Sequence, residues 1–242
     1  MIPRIIHYCW FGRQPKSQLV KYCIATWQKQ LRNYHIIEWN EDNFDVACCD
    51  YSKQAYEMKK FAFVSDVARG HALHEHGGIY LDADVEVRKS FDPLLQYYSF
   101  WGFEAGNYIA TSTIGSEKGN DLLKTYLQCY AQRQFHAPDG SIDPTTNVSM
   151  VTGLLLKRGL IQDGSLQVLE GENVVCPQSW FSPYDYRIGK MEDTSNAYTI
   201  HHYAVTWSSR MTRSVGMAKR CASRIPGGSS LILLLQRVTG RG

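Results

Sequence analysis

Two carboxylates separated by one residue directly follow a short apolar stretch of the chain. Residues 79–81 read Ile-Tyr-Leu, and Asp82-Ala83-Asp84 comes next. Carboxylate oxygens are the ligands that hard divalent ions such as Mg²⁺ and Mn²⁺ prefer, and such an ion can bridge the phosphates of a nucleoside diphosphate. A lone D-x-D is also a common turn former or helix cap, so its neighbours decide between these interpretations.

The segments around this acidic pair alternate between strand and helix patterns. Gly77-Gly78 separates a helical pattern from the apolar stretch before the aspartates, as a helix stop would. Hydrophobic periodicity predicts strands at residues 5–10, 34–39 and 79–81 and helices at residues 17–31 and 61–75. This order predicts a parallel α/β unit, and open α/β sheets bind their ligands at the carboxyl ends of strands, where the two aspartates stand.

The composition indicates one main globular domain. The chain has 242 residues, of which 44% are hydrophobic, and its formal net charge of +3 is too small to indicate a nucleic-acid-binding protein. Asp193 is the last acidic residue, and the chain beyond it is basic. We therefore divide the chain into a body, residues 1–210, and a basic, partly apolar tail, residues 211–242.

The cysteines and apolar runs bear on the location of the protein. The seven cysteines include no CxxC pair, which indicates reduced thiols. Residues 1–7 lack the features of a signal peptide, and the late apolar run at 231–235 is far shorter than the roughly 20 residues of a membrane-spanning helix. We expect a cytoplasmic protein whose tail contacts the anionic inner face of the plasma membrane; a solubilising tail or a helix packed on the body is the alternative.

Three sequence motifs resemble those of glycosyltransferase family 32, whose members are related to the glucosylating domain of large clostridial toxins. The central motif is FAFVSDVARGHALHEHGGIYLDAD at residues 61–84. The others are IPRIIHYCWFG at residues 2–12 and HHYAVTW at residues 201–207, where Thr206 replaces the usual serine. The resemblance implies a GT-A-like α/β fold for the body, with a mainly parallel central sheet and helical insertions. The match is loose at residues 106–177, and no role is assigned to that segment.

The resemblance also implies nucleotide-binding roles for residues outside the acidic pair. Cys9 and Trp10 lie in the first motif, and the ring of Trp10 would stack on a nucleobase, the alternative being an ordinary core tryptophan. Asp66 and Arg69 share one helix face and would contact the ribose or donor sugar as part of the catalytic set, unless they form a plain intrahelical ion pair. Tyr80 shares the strand face of Asp82 and would support the nucleotide, unless it is simply a core residue.

The metal site implied by the resemblance uses both aspartates and a distant histidine. Asp82 would bind ribose and metal, and Asp84 would bind the metal more directly, so both join the catalytic set. His202 is the predicted third ligand for Mn²⁺ or Mg²⁺, because the pair His202-Tyr203 resembles the H-Y or H-F of related retaining transferases and neutral imidazole can bind Mn²⁺. His201 would point to the opposite face if the segment is extended. Trp207 would close over the diphosphate or anchor the tail.

The function implied by the resemblance is metal-dependent transfer of a sugar with retention of anomeric configuration. The donor would be a nucleotide-diphosphate sugar, with a UDP sugar preferred, and the acceptor a glycan or lipid-linked glycan in the synthesis of a capsule or other surface polysaccharide. No carboxylate nucleophile is evident, so we expect front-face displacement. Two other classes are compatible with the residues: a metal-dependent hydrolase of nucleotide sugars or phosphoesters, and a non-enzymatic glycan-binding module.

Overall fold

The computed structural model describes residues 1–204, which form a mixed α/β structure around one large sheet. The helices are α1 (Gln18–Gln30), α2 (Asp50–Glu57), α3 (Phe61–His76), α4 (Asp121–Ala131), α5 (Asn147–Leu156) and α6 (Gln178–Phe181). The strands are β1 (Ile5–Cys9), β2 (His35–Trp39), β3 (Gly78–Leu81), β4 (Val85–Val87), β5 (Ser99–Glu104), β6 (Tyr108–Ser116), β7 (Gln167–Leu169), β8 (Asn173–Cys176), β9 (Tyr184–Asp185), β10 (Lys190–Met191) and β11 (Thr199–His201).

The central sheet has seven strands in the order β2-β1-β3-β6-β5-β8-β7. Strands β1, β2, β3, β5 and β8 run in one direction, and β6 and β7 run in the other. The predicted α/β class with a mainly parallel central sheet is therefore confirmed. Two small antiparallel pairs, β9 with β10 and β4 with β11, lie outside this sheet.

The sheet separates two buried hydrophobic clusters, because successive side chains of a strand point to opposite faces. In β3, Ile79 and Leu81 belong to one cluster and Tyr80 belongs to the other. Helix α1 contributes Trp27 to the cluster that contains Ile79, and helix α3 contributes Val67 to the cluster that contains Tyr80. Hydrophobic side chains thus cover both faces of the sheet, and polar residues such as Asp82 follow the ends of its strands.

The predicted helices and strands of the first third of the chain are confirmed to within two residues at each end. Ser17 caps α1, because its side-chain oxygen accepts a hydrogen bond from the N–H of Val20. Helix α3 ends at Gly77, which has a φ of 66°. A Cβ on the next residue, Gly78, would lie 2.7 Å from the carbonyl oxygen of Ile5, so glycine lets β3 lie against β1. This close approach requires a residue without a side chain at the start of β3.

Within residues 1–204, no helix is long and apolar enough to cross a membrane. The six cysteines of this part of the chain are all free thiols. The boundary predicted at residue 210 and the basic tail lie outside the described residues.

Candidate functional site

The two aspartates lie in a tight turn between β3 and β4. The backbone N–H of Asp82 donates to the carbonyl oxygen of Ser112 at 2.9 Å, which continues the pairing of β3 with β6 by one residue. The N–H of Val85 then donates back to the carbonyl oxygen of Asp82 at 2.9 Å and closes the turn. Asp82 and Asp84 are therefore held at the carboxyl end of β3, the edge at which the sequence places them.

Strand β11 brings a histidine to the same turn from the far end of the described chain. β11 pairs antiparallel with β4, and His201 lies opposite Val85. The Nε2 atom of His201 lies 3.3 Å from Oδ1 of Asp84 and 4.0 Å from Oδ2 of Asp82. One ligand atom from each of these three residues lies within 4.8 Å of the other two. They form a group of two carboxylates and one imidazole that can hold a divalent ion.

The position of His202 differs from the prediction. Its ring Nε2 lies 3.1 Å from Oε2 of Glu86, and its backbone N–H donates to the carbonyl oxygen of Asp84. The pairing of β11 with β4 places His201 opposite Val85, with its ring toward the aspartates. In the structure, His201 replaces His202 as the histidine beside the acidic pair.

Contacts with neighbouring residues orient the carboxylates of Asp82 and Asp84 toward His201. Oδ1 of Asp82 accepts a hydrogen bond from the hydroxyl of Tyr80 at 3.0 Å and lies 3.3 Å from Nη2 of Arg69. Oδ2 of Asp84 accepts a hydrogen bond from the backbone N–H of Ala204 at 2.7 Å. In each aspartate, the oxygen that faces His201 is the one that these contacts do not use. The arrangement fits a divalent ion, because oxygen and imidazole ligands are already gathered and oriented.

Asp84 and His201 each stabilise the charged form of the other. Burial by itself would raise the pKa of Asp84, but His201 and the N–H of Ala204 lower it to about 2. Burial by itself would lower the pKa of His201, but the negative charge of Asp84, with that of Asp82, raises it above its ordinary value. Asp84 is therefore an anion at neutral pH, as a metal ligand must be, whereas His201 has to lose its proton before its ring can bind a metal.

Asp66 and Arg69 form an intrahelical ion pair that also reaches the acidic turn. Nη2 of Arg69 lies 3.0 Å from Oδ1 of Asp66, both residues are buried, and Nη1 of Arg69 donates to the carbonyl oxygen of Thr111 at 2.7 Å. Burial raises the pKa of Asp66 to about 7, and the charge of Arg69 opposes that rise. The pair holds Asp82 in place through the Arg69 guanidinium, so it is joined to the site. Contact of either residue with a donor remains a prediction.

Tyr80 and Cys9 occupy the core beneath the site. Tyr80 is 1% exposed, and the guanidinium carbon of Arg69 lies 4.6 Å from the centre of its ring. Cys9 is buried in the same hydrophobic cluster, and burial raises the pKa of its thiol to about 12, which keeps it neutral. Tyr80 thus contacts Asp82 through its hydroxyl, while its ring is enclosed by protein.

Trp10 lies at the end of β1 and is partly exposed. It lines a shallow surface depression together with residues of β2 and of the following loop, among them Glu38 and Asn40. Its indole Nε1 donates to the carbonyl oxygen of Gln14 at 2.7 Å, and Lys16 lies 5.6 Å from its ring centre. The ring has a surface on which a base can stack, which Tyr80 lacks. Trp207, the remaining predicted residue, lies outside the described residues.

Two residues that the sequence analysis left without a role are part of this network. Asn147, the first residue of α5, donates from Nδ2 to Oδ1 of Asp66 at 2.6 Å and to the hydroxyl of Thr111 at 2.9 Å. Glu104, the last residue of β5, is buried and accepts a hydrogen bond from the hydroxyl of Tyr203 at 3.5 Å. A polar residue at a strand or helix end was the only signal available for them.

Part of the chain is similar in sequence to known proteins. Residues 17–101 match the family model described as the glycosyltransferase sugar-binding region containing DXD motif. The chain is 28% identical over 129 residues to inositol phosphoceramide mannosyltransferase 3 of Schizosaccharomyces pombe, covering 50% of this chain and 35% of that protein. It is 30% identical over 109 residues to inositol phosphoceramide mannosyltransferase 1 of the same yeast, covering 41% and 33%. The chain thus spans about a third of the length of these relatives.

Among solved structures, one similar protein is a glycosyltransferase involved in the glycosylation of the major capsid of PBCV-1. It is 14% identical, with a TM-score of 0.48 and coverage of 89% of this chain and 100% of that chain. Within the matched residues 17–101, the only D-x-D is Asp82-Ala83-Asp84. Residues 17–101 of this chain are therefore similar to the glycosyltransferase sugar-binding region that contains the DXD motif, and Asp82-Ala83-Asp84 is the D-x-D of the matched segment.

Proposed function

We propose that this protein is a metal-dependent glycosyltransferase that moves a sugar from a nucleotide-diphosphate sugar to a glycan or lipid-linked glycan. The observation that carries the proposal is the convergence of Asp82 and Asp84, which belong to the matched residues 17–101, with His201 at the carboxyl end of β3. A UDP sugar is the preferred donor, and assembly of a capsule or another surface polysaccharide is the proposed role.

The three converging side chains would hold Mn²⁺ or Mg²⁺. Such an ion, when bound, neutralises negative charge on the departing diphosphate. The protein supplies the rest: Arg69 and Tyr80 fix the orientation of Asp82, and the N–H of Ala204 fixes that of Asp84. Because these groups are in place before substrate arrives, little reorganisation is needed during the reaction. Retention of configuration, with the acceptor hydroxyl attacking on the face that the diphosphate leaves, completes the proposal.

Thermal denaturation with a panel of nucleoside diphosphates tests the proposed donor class. A ligand that binds only the folded state raises the midpoint of unfolding by mass action. We expect UDP to raise the midpoint in the presence of Mn²⁺ and to lose most of this effect when EDTA is added. If none of UDP, GDP or ADP raises the midpoint with Mn²⁺ present, the proposal of a nucleotide-sugar donor is refuted.

The two adjacent histidines provide a matched test of the metal site. We expect His201→Ala to weaken Mn²⁺-dependent binding of UDP at least about tenfold, because loss of a ligand costs no less than loss of a supporting contact. His202→Ala removes the same ring one residue later, beside Glu86, and is expected to change this affinity less than about twofold. Isothermal titration with UDP and Mn²⁺ measures both variants. Equal losses, or a larger loss in His202→Ala, would contradict the role of His201.

Trp10 is proposed to stack on the nucleobase, since its ring is partly exposed at the carboxyl end of β1. Trp10→Ala is expected to weaken UDP binding by about 1–3 kcal/mol, the range for loss of a base stacked on an aromatic ring. Trp10→Phe keeps an aromatic face and is expected to retain most of the affinity. If Trp10→Ala lowers the midpoint of unfolding while the UDP affinity is unchanged, Trp10 is a core residue.

The basic tail is proposed to hold the enzyme beside a lipid-linked acceptor. Each basic residue near an anionic leaflet contributes about 1 kcal/mol, so several together support association. Deleting residues 212–242 is expected to lower salt-sensitive binding to vesicles that contain phosphatidylglycerol and to leave UDP binding intact. Equal vesicle binding by the truncated and full-length chains would exclude this role of the tail.

A further inference from the structure

A group of tyrosines extends from His201 toward the surface. The ring centre of Tyr203 lies 3.8 Å from that of His201, with the two rings 31° apart. The ring centre of Tyr186 lies 4.7 Å from that of Tyr203, and the ring centre of Tyr184 lies 6.2 Å from that of Tyr203. Two ring contacts therefore connect the predicted metal site to Tyr186, which stands in the turn between β9 and β10.

This aromatic group is open to solvent at one end. Tyr186 is 43% exposed, although large hydrophobic side chains are mostly buried in this protein. The rings of Tyr203 and Tyr184 are only partly covered. The exposed face of Tyr186 is thus an aromatic surface that is open to solvent beside the site.

A carboxylate lies beneath the same surface. Glu104 is 9% exposed, and its Oε2 atom accepts the hydrogen bond of the Tyr203 hydroxyl. Arg187, beside Tyr186, makes two contacts with the carboxylate of Asp185, at 2.9 Å and 3.2 Å, and its charge also acts on Glu104. Glu104 therefore gives the surface a carboxyl hydrogen-bond acceptor.

An aromatic ring beside a carboxylate suits a neutral sugar. A pyranose ring has an apolar face of C–H groups that packs on an aromatic ring, and it has hydroxyl donors at its edge that a carboxylate accepts. A nucleobase also stacks on tyrosine, but the base is proposed to stack on Trp10, which follows β1. In the sheet β1 and β5 lie on opposite sides of β3, so Glu104, at the end of β5, lies across the acidic pair from Trp10. The chemistry and the position of the surface therefore favour the acceptor sugar over the donor nucleotide.

We propose that Tyr186, Tyr203 and Glu104 form a subsite that binds a neutral hexopyranose unit of the acceptor. The inference rests on the proposed function, because it takes the group at Asp82, Asp84 and His201 as the donor side of the same site. The sugar packs on the exposed ring of Tyr186 and donates hydroxyl hydrogen bonds to Glu104. Tyr203 connects the subsite to the donor side through its contact with His201.

Saturation-transfer NMR with simple glycosides tests this subsite. The full chain, with UDP and Mn²⁺, is titrated with methyl α-mannopyranoside, methyl β-galactopyranoside and methyl β-glucopyranoside. We expect at least one glycoside to bind, and Tyr186→Ala to raise its dissociation constant about three- to tenfold, as loss of one aromatic packing surface implies. Tyr186→Phe keeps the ring and is expected to stay within about twofold of the original value. Glu104→Gln is expected to weaken binding about tenfold.

Matched controls separate this inference from the proposed function. Tyr22 of α1 is 50% exposed, and Tyr22→Ala is expected to leave glycoside binding unchanged. If the chain binds UDP with Mn²⁺ but no glycoside, or binds a glycoside equally well in Tyr186→Ala, the subsite is refuted and the donor site stands. If Glu104→Gln stops donor turnover without changing glycoside affinity, Glu104 acts on the donor and its place in the subsite is wrong. Failure to bind any nucleoside diphosphate refutes the proposed function itself.

Discussion

Replacing Asp84 by asparagine is expected to lower Mn²⁺-dependent turnover of the sugar donor about a thousandfold while the fold is retained. Asparagine has nearly the shape of aspartate but lacks the charge that His201 faces at 3.3 Å. A metal that stabilises developing charge contributes several kcal/mol to the transition state, and about 4 kcal/mol corresponds to this factor. Donor consumption measured by NMR at saturating Mn²⁺ gives the rate, and circular dichroism checks the fold.

The matched control for this substitution is Asp121→Asn, in the first turn of α4. Asp121 is exposed and pairs with Arg158, so this change removes one carboxylate charge far from the site in sequence. Its turnover is expected to stay within about twofold of the original, because exposed ion pairs contribute little. Near-normal Mn²⁺-dependent turnover in Asp84→Asn, with the fold intact, would contradict the metal role of Asp84.

Replacing Arg69 by methionine is expected to lower the free energy of unfolding by about 3–5 kcal/mol. Arg69 is 5% exposed and lies between the carboxylates of Asp66 and Asp82. Removing one member of a buried ionic group leaves its partners without a countercharge in the protein interior, and this destabilises a protein by about 3–5 kcal/mol. Urea denaturation monitored by fluorescence measures the change.

Two further variants show whether the loss comes from charge or from packing. Without Arg69, the buried carboxyl group of Asp66 has to take up a proton, so Asp66→Asn in the Arg69→Met background removes this cost and is expected to recover part of the lost stability. Arg158→Met removes the partly exposed ion pair with Asp121 and is expected to cost less than about 1 kcal/mol. If Arg69→Met costs no more than Arg158→Met, the buried network contributes little to stability.

The sequence predicted the first third of the fold because its signals are local. Ser17 caps α1, and the glycines after α3 end the helix, so both boundaries are encoded within a few residues. The apolar strand before Asp82 is recognised from its own composition, and its position predicts that the aspartates lie at a ligand-binding edge. These features require no knowledge of distant contacts.

The rest of the site depends on pairing between distant segments. The choice between His201 and His202 is set by the register of β11 on β4, which joins residues more than a hundred positions apart. A shift of one residue in that register would exchange the two rings, and the composition of the segment does not fix it. Asn147 and Glu104 join the network through contacts across the fold, and Tyr186 through a short hairpin turn.

The central claim is glycosyl transfer that needs both a metal and an acceptor. The most direct measurement is NMR detection of a new glycosidic anomeric signal in a mixture of the full chain, a UDP sugar and a methyl hexopyranoside, with Mn²⁺ or with EDTA. We expect a product with the anomeric configuration of the donor, formed only when Mn²⁺ and the glycoside are both present. Donor consumption at the same rate without the glycoside, yielding only free sugar, would identify a hydrolase and contradict the account.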